Sequence, residues 1–271
     1  MLGTCVIHIV WAPLGVEPLE RFAASYRAHP AGTEHRLVFV LKGAQDNMIA
    51  ARCRVLADEL GAERLELPAA GLDLDTYMAA ADHLYADALC FLNSSSEILT
   101  PGWLAALQTA LEQPGAGLVG ATGSNESSLS SAPRPLRPLL RSRYPPFPNP
   151  HLRTNGFMLE RDLMLTLDWP GTARKRRALE LESGVHSITR QVWAHGLRAL
   201  VVGRDGRSYE CERWHESLTF RSGSQENLLI ADNRTRQYAE ADPARRAQLA
   251  RFAWGDAASL TPPPPAPAPP E

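Results

Sequence analysis

Five consecutive polar residues, Asn93-Ser94-Ser95-Ser96-Glu97, follow directly on the apolar run 88–92 and precede Thr100-Pro101-Gly102-Trp103-Leu104. The apolar run reads as a buried strand of the kind found in parallel sheets. The Thr-Pro pair reads as the start of a helix over 101–112, with Thr100 as N-cap and Pro101 at the first helical position. In open α/β sheets, ligands bind outside the carboxyl ends of strands. The amide, hydroxyls and carboxylate at this strand end are therefore the first candidate site, and in a strand-like register Asn93, Ser95 and Glu97 share one side.

The elements that must position this stretch alternate regularly. Strand patterns cover 5–11, 35–41, 64–67, 88–92 and 117–122. Helical spacing falls between them at 18–29, 48–60, 71–84 and 101–112. The first strand is stopped by Ala12-Pro13-Leu14-Gly15, and Asp73 or Asp75 lies near the start of the third helix. Strict strand–helix alternation predicts an α/β protein built of βαβ units on a mostly parallel sheet flanked by helices. After Gly123 the pattern changes. Residues 124–150 are rich in Ser, Pro and Arg without periodicity, and a loop that long is functional or disordered. Order resumes with a strand over 151–159, helices over 161–167 and 185–195, a strand over 198–202 and a last helix over 239–254. The run Arg174-Lys175-Arg176-Arg177 reads as a solvated face. The tail 261–271 is nearly all Pro and Ala, and reads as disordered and polyproline-like.

Composition narrows the partners. With 271 residues, 44% of them hydrophobic, and a net charge of −2, the chain can bury one substantial core or two fused halves. That charge gives no electrostatic case for nucleic acid or an anionic membrane. Cys5, Cys53, Cys90 and Cys211 are far apart, which argues against a disulfide framework or a zinc site and for a reducing compartment. Residues 1–10 lack a basic start and run straight into a strand, and no apolar run reaches membrane-span length, so a cytoplasmic location without a transmembrane segment is expected.

The stretch 91–98 followed by Pro101-Gly102-Trp103-Leu104 resembles nucleotide-sugar glycosyltransferases of the GT-A fold, in particular glycosyltransferase family 2, which often reads Leu-Asn-Asn-Asp-Thr-Glu-Val here before Pro-Gly-Trp-Leu. Gly71-Leu72-Asp73 with Tyr77 looks like the Asp-x-x-x-Tyr segment of rhamnan-synthesis-type relatives. Leu181-Glu182-Ser183-Gly184 ahead of a helix sits where the family carries its Glu-Asp acceptor motif. The similarity in element order spans residues 4–210. It implies a single GT-A (Rossmann-like) domain over 1–255, with a donor-nucleotide half at 1–123, an acceptor half at 124–214 and a C-terminal extension at 215–255, followed by a disordered tail at 256–271.

What the resemblance implies for chemistry is a transfer of sugar from a nucleotide donor to a hydroxyl acceptor (glycan, polysaccharide or lipid-linked precursor), inverting, with one general base. Glu182 matches the base, with Glu180 a rival and His186 able to orient it. Read from the residues alone, Glu182 is equally a carboxylate favoured at a helix start. Donor binding falls to Pro13, Asp73, Asn93, Ser94, Ser95 and Arg153, with Asp73 alternatively a helix cap. Family members hold Mg²⁺ or Mn²⁺ against the diphosphate through an Asp-x-Asp motif. Here Ser95 replaces the metal-binding Asp, and a neutral hydroxyl is a poor substitute for a carboxylate. Glu97, two residues on, could contribute a carboxylate to a divalent cation. The resemblance implies His215 as a further ligand, since some GT-A enzymes place one after the last core strand; otherwise His215 is a satisfied or exposed histidine. The alternative is that arginines (Arg134, Arg137, Arg141, Arg143, Arg153) hold the phosphates. Two other readings stand beside this one. A non-catalytic GT-A-like protein would bind nucleotide-sugar, or act through its Pro-rich tail. A nucleotidyltransferase would need a Gly-rich loop that 12–15 do not supply.

Overall fold

The structure, a computed structural model, describes residues 3–42, 48–67, 73–169 and 175–260. Gly71, Leu72, Arg174 and the tail 261–271 lie outside the described residues. The strands are β1 (Thr4–Trp11), β2 (His35–Lys42), β3 (Glu63–Leu67), β4 (Ala88–Leu92), β5 (Glu97–Ile98), β6 (Ala116–Gly120), β7 (Gly123–Ser124), β8 (His151–Leu152), β9 (Gly156–Glu160), β10 (Arg198–Val202), β11 (Ser208–Tyr209) and β12 (Ile230–Ala231). The helices are α1 (Glu17–Ala28), α2 (Met48–Leu60), α3 (Asp73–His83), α4 (Trp103–Leu111), α5 (Ser128–Ser131), α6 (Arg137–Leu140), α7 (Arg161–Thr166), α8 (Lys175–Ser183), α9 (Ile188–Ala194), α10 (Asn233–Ala239) and α11 (Pro243–Trp254).

Among the described residues, eight strands form the central sheet in the order β11-β10-β6-β9-β4-β1-β2-β3. The pairs β1–β2, β1–β4, β2–β3 and β6–β10 are parallel, while β9 and the edge strand β11 run antiparallel. The continuous apolar runs of β1 and β2 are explained by burial on both faces. Alternate residues divide between two cores. Ile7, Ile9, Val38 and Val40 meet Tyr77, Ala80 and Ala81 of α3 on one face. Val6, Phe39 and Leu41 meet Phe22 of α1 and Trp103 and Leu104 of α4 on the other. His8 lies in the second layer, stacked on Phe22 with ring centroids 3.7 Å apart.

The antiparallel insertion of β9 builds the site. Parallel strands β1, β4 and β6 all end at one edge of the sheet. Because β9 runs the other way, it begins there, with Gly156 opposite Leu92. The turn 153–155 therefore sits beside the polar end of β4. The Ala121 N–H donates to the Gly156 carbonyl (2.8 Å) and fixes the end of β6 to the same point.

Several boundaries differ from the sequence reading. The helix expected from Pro101 begins at Trp103, because Gly102 is left-handed (φ 73°) and no side chain caps it. The Gly102 N–H donates to the Pro30 carbonyl (2.7 Å), and a Cβ on Gly32 would sit 2.9 Å from Gly102 Cα, so this corner is set by close backbone approach. The strand expected over 151–159 is broken into β8 and β9. The 124–150 segment carries α5 and α6, with Ser127 Oγ capping the first through the Ser130 N–H (3.1 Å). A 3₁₀ turn spans Gly255–Leu260. The C-terminal extension returns to the site, with β12 pairing antiparallel with β5.

Candidate functional site

At the end of β4 the chain turns on itself. Asn93 Oδ1 accepts from the Ser95 N–H (2.9 Å) and lies 3.2 Å from Ser96 Oγ, a local side-chain turn. Ser96 Oγ also donates to the Asn155 carbonyl (2.9 Å), tying β4 to the start of β9. Ser94, Ser96 and Ile98 are buried, whereas Asn93, Ser95 and Glu97 are half-exposed, so the alternation expected for this stretch holds. Ser94 Oγ is buried without a hydrogen-bond partner.

Arg153 projects from the neighbouring turn and is 8% exposed. Its guanidinium donates to Asp232 Oδ2 (2.7 Å) and sits 4.1 Å from the centre of the Phe220 ring. Burial opposes its charge, yet Asp232 holds its pKa above the usual arginine range. Asp232 is itself 1% exposed. Its other oxygen accepts the N–H groups of Arg234 (3.0 Å) and Thr235 (2.8 Å), capping α10. Burial raises the Asp232 pKa, but Arg153 and these two amides outweigh it and hold the carboxyl below its usual range.

Glu182 lies in the last turn of α8, not at a helix start as the sequence implied. The intervening chain from Gly184 turns tightly, for a Cβ on Gly184 would sit 2.4 Å from the Glu180 carbonyl oxygen. A carboxylate at a helix C-terminus is disfavoured by the dipole, so the bland explanation for Glu182 fails. Among the described residues its Oε1 makes only long contacts, 3.4 Å from the Thr154 N–H and 3.3 Å from Thr154 Oγ1. His186 is exposed, and Glu180 faces Arg143 at 3.7 Å. The imidazole near Glu182 is His151, which is buried and 2.8 Å from the Asn149 carbonyl through Nδ1. Burial lowers the His151 pKa, with Glu182 working the other way. Asp73 lies in the first turn of α3, where burial raises its pKa; Lys42 opposes that and Glu182 adds to it. Pro13 is exposed in the 3₁₀ turn that ends β1.

A cavity of about 300 Å³ brings together Arg153 and Glu182 of the expected residues, with Glu126, His151, Arg221 and Arg234; Pro13, Asp73, Asn93, Ser94, Ser95, Glu97 and His215 do not line it. A larger cavity of about 900 Å³ lies at the amino ends of β1 and β4, around Thr4 and Ala88. It is on the wrong edge of the sheet for a strand-end site.

The fold family's divalent cation finds a poor seat here. Ser95 offers a hydroxyl, and its carbonyl accepts from Arg236 (3.1 Å). The Glu97 carboxylate is paired with the same guanidinium (3.1 Å). His215 lies in a 3₁₀ turn, Cys211–Ser217, that packs on β7, β10 and β11. Among the described residues, no group of three His, Cys, Asp or Glu side chains could hold a metal. Of the arginines expected near the long loop, Arg134, Arg137 and Arg141 are exposed, and Arg153 alone lines the cavity.

Arg221, Glu126 and Arg236 were missed by sequence reasoning. Arg221 is 2% exposed, paired with Glu126, and sits in the left-handed region at φ 47°. Leu218 (φ 55°) and Gln225 (φ 58°) share that strain. Nothing in the polar stretch 214–238 marks Arg221. Asp232-Asn233-Arg234-Thr235 does carry a readable signal, since Asp and Thr three residues apart form the capping box seen at α10.

No protein-family model matches the sequence, and no curated protein matches it either. Solved structures do match. The mannosyltransferase PcManGT from Pyrobaculum calidifontis, in complex with GDP-Man and Mn²⁺, superposes with a TM-score of 0.51 at 15% identity, over 79% of this chain and 59% of its own. The chain has a GT-A glycosyltransferase fold. Glucosyl-3-phosphoglycerate synthase from Mycobacterium tuberculosis is more distant, with a TM-score of 0.41 at 16% identity in its complex with Mn²⁺, UDP and glucosyl-3-phosphoglycerate, covering 63% of this chain and 61% of that one. The chain thus spans about three-fifths of the length of either GT-A protein. In this GT-A frame the expected mostly parallel sheet flanked by helices is present, extended by β12, α10 and α11. No described helix is long and apolar enough to cross a membrane, and all four cysteines are unpaired.

Proposed function

We propose that the chain is an inverting glycosyltransferase, moving a hexosyl group from a nucleotide-sugar donor to a hydroxyl acceptor in polysaccharide or lipid-linked precursor synthesis in the cytoplasm. Residues 1–123 form the donor half and 124–214 the acceptor half, with 215–255 closing over both. The observation that carries this reading is the placement of Glu182. Among the described residues, a carboxylate with only long hydrogen bonds opens on a polar cavity that Arg153 of the turn 153–155 also lines, in a GT-A fold.

Inversion needs one in-line displacement. Glu182 takes the proton of the acceptor hydroxyl as its oxygen attacks the anomeric carbon, and the nucleoside diphosphate leaves on the far side. Asp73, Pro13 and the Asn93–Ser95 turn contact the donor. Mg²⁺ or Mn²⁺ does not fit Ser95 and an already paired Glu97, so no step is routed through a metal. Arg236, held on the Ser95 carbonyl, is the positive charge stationed at this strand end.

Replacing Glu182 with Gln keeps the shape and removes the base. Turnover of a sugar nucleotide should fall by about a hundred- to ten-thousand-fold, with the dissociation constant for UDP or GDP unchanged. Undiminished transfer by the Glu182→Gln variant sinks the assignment. Nucleotide binding by the wild type without turnover on any acceptor favours a non-catalytic binding protein, a reading that the poor cation seat also supports.

A further inference from the structure

We propose that the acceptor is an anion: a hydroxyl compound carrying a phosphate group, which Arg221 and Arg234 seat in the cavity that Glu182 lines. The proposal rests on the glycosyl-transfer reading and names the substrate class for that site.

Two adjoining cavities, of about 300 Å³ and about 290 Å³, share Arg221, Arg234 and Phe252. The second adds Arg245. Charge at their walls does not balance internally. Arg153 is paired with Asp232, and Arg221 with Glu126. Arg245 reaches only the neutral Gln248 (2.7 Å). Among the described residues the Arg234 guanidinium pairs with none. The walls therefore present unmatched cations opposite Glu182, the carboxylate required to stay free.

Arg221 is the built part of the site. It is 2% exposed, and its Nε is buried without a hydrogen-bond partner although the residue lines both cavities. Its left-handed backbone is held by the Gln225 side chain, which accepts from the Arg221 N–H (3.1 Å) and donates to the Thr235 carbonyl (2.9 Å). Trp254 Nε1 anchors the preceding residue through the Phe220 carbonyl (2.7 Å). Burial disfavours the Arg221 cation. Glu126 favours it, and Arg153 and Arg234 add repulsion. A strained loop that holds a buried guanidinium against two others is relieved by a multiply charged oxyanion, which arginine binds through paired N–H groups.

The donor's diphosphate has the same chemistry, but none of residues 93–97 lines this cavity, and Glu182 does. An anion on Arg221 and Arg234 therefore shares the cavity with the base that must meet the acceptor hydroxyl.

The test is calorimetric titration of the full chain with inorganic phosphate, and separately with UDP and GDP. Phosphate should bind the wild type and bind Arg234→Gln about tenfold more weakly, as expected for one lost charge-assisted hydrogen-bonded contact. Arg221→Lys, which keeps the charge but not the fork, should weaken phosphate binding without loss of fold. Nucleoside diphosphate affinity should stay the same in both variants. No phosphate binding, or binding indifferent to both substitutions, with UDP or GDP still bound, overturns the anionic acceptor alone. Parallel loss of phosphate and nucleoside diphosphate affinity overturns it by assigning the arginines to the donor. Phosphate binding with no nucleoside diphosphate bound overturns the acceptor role together with the transferase reading.

Discussion

Asp232→Asn isolates the buried ion pair on which the site is hung. Asparagine still caps α10, because its carbonyl oxygen can accept the Arg234 and Thr235 N–H groups that Asp232 Oδ1 accepts now at 3.0 and 2.8 Å. What changes is the other atom, which becomes an NH₂ facing the Arg153 guanidinium at the 2.7 Å now occupied by a carboxylate oxygen. Breaking one partner of a buried pair leaves an uncompensated charge and costs about 3–5 kcal/mol. The Phe220 ring 4.1 Å from Arg153 places the value toward the lower end. For a chain of this size that is a fall in Tm of roughly 6–20 °C. Asp232→Ala should lose about a further 1 kcal/mol with the cap. The Arg153→Met, Asp232→Asn double variant should recover part of the loss. Urea denaturation followed by circular dichroism measures all three. If Asp232→Asn lies within about 1 kcal/mol of wild type, Arg153 and Asp232 do not form a buried ion pair. The pH sign is fixed too. Because the folded Asp232 pKa is depressed, the pair contributes stability above the carboxyl's unfolded pKa, and that stability is lost as pH falls below it.

The other perturbations act in β1, β8 and α10. Burial lowers the His8 pKa to about 3 from its usual 6.5. Its contribution is therefore intact above the unfolded value and lost on acidification, by about 2 kcal/mol at pH 5. His151 is shifted in the same direction, so unfolding free energy should drop between pH 7 and pH 5, and His8→Leu should flatten that slope. A pH-independent wild type contradicts the buried neutral imidazole. Arg236→Gln removes the cation from the Ser95 carbonyl and should weaken UDP or GDP binding about tenfold, the share of one hydrogen-bonded charge, with EDTA leaving the wild type unaffected. Turnover abolished by EDTA and restored by Mn²⁺ would refute the assignment of Arg236 to that position.

Much of the scaffold can be read along the chain. The apolar runs of β1, β2 and β4 and the helical spacing of α1 and α3 follow from side-chain periodicity, which depends only on neighbours in sequence. Errors concentrate where backbone meets backbone. The start of α4 is set by the contact between Gly32 and Gly102, and the break between β8 and β9 by the turn 153–155, where the Arg153 N–H donates to the Thr122 carbonyl (3.0 Å) and Thr122 Oγ1 donates to Asn155 Oδ1 (2.6 Å). The sequence marks Glu182 as a candidate but not its helix end, because the turn at Gly184 depends on its clearance from the Glu180 carbonyl.

The order of elements and the buried strand that ends ahead of Asn93–Glu97 were determined by the sequence alone, since each rests on residue type and local spacing, whereas Ser95 in the place of a metal-binding Asp is what the resemblance to GT-A glycosyltransferases implies. Tertiary structure alone decided which charges meet. Arg153 finds Asp232 across 79 positions, Arg221 finds Glu126 across 95, and Arg236 finds Glu97 across 139. Nothing local to any of these residues encodes its partner. The pairs exist because β9 enters the sheet antiparallel beside β4 and the C-terminal extension folds back onto the same edge.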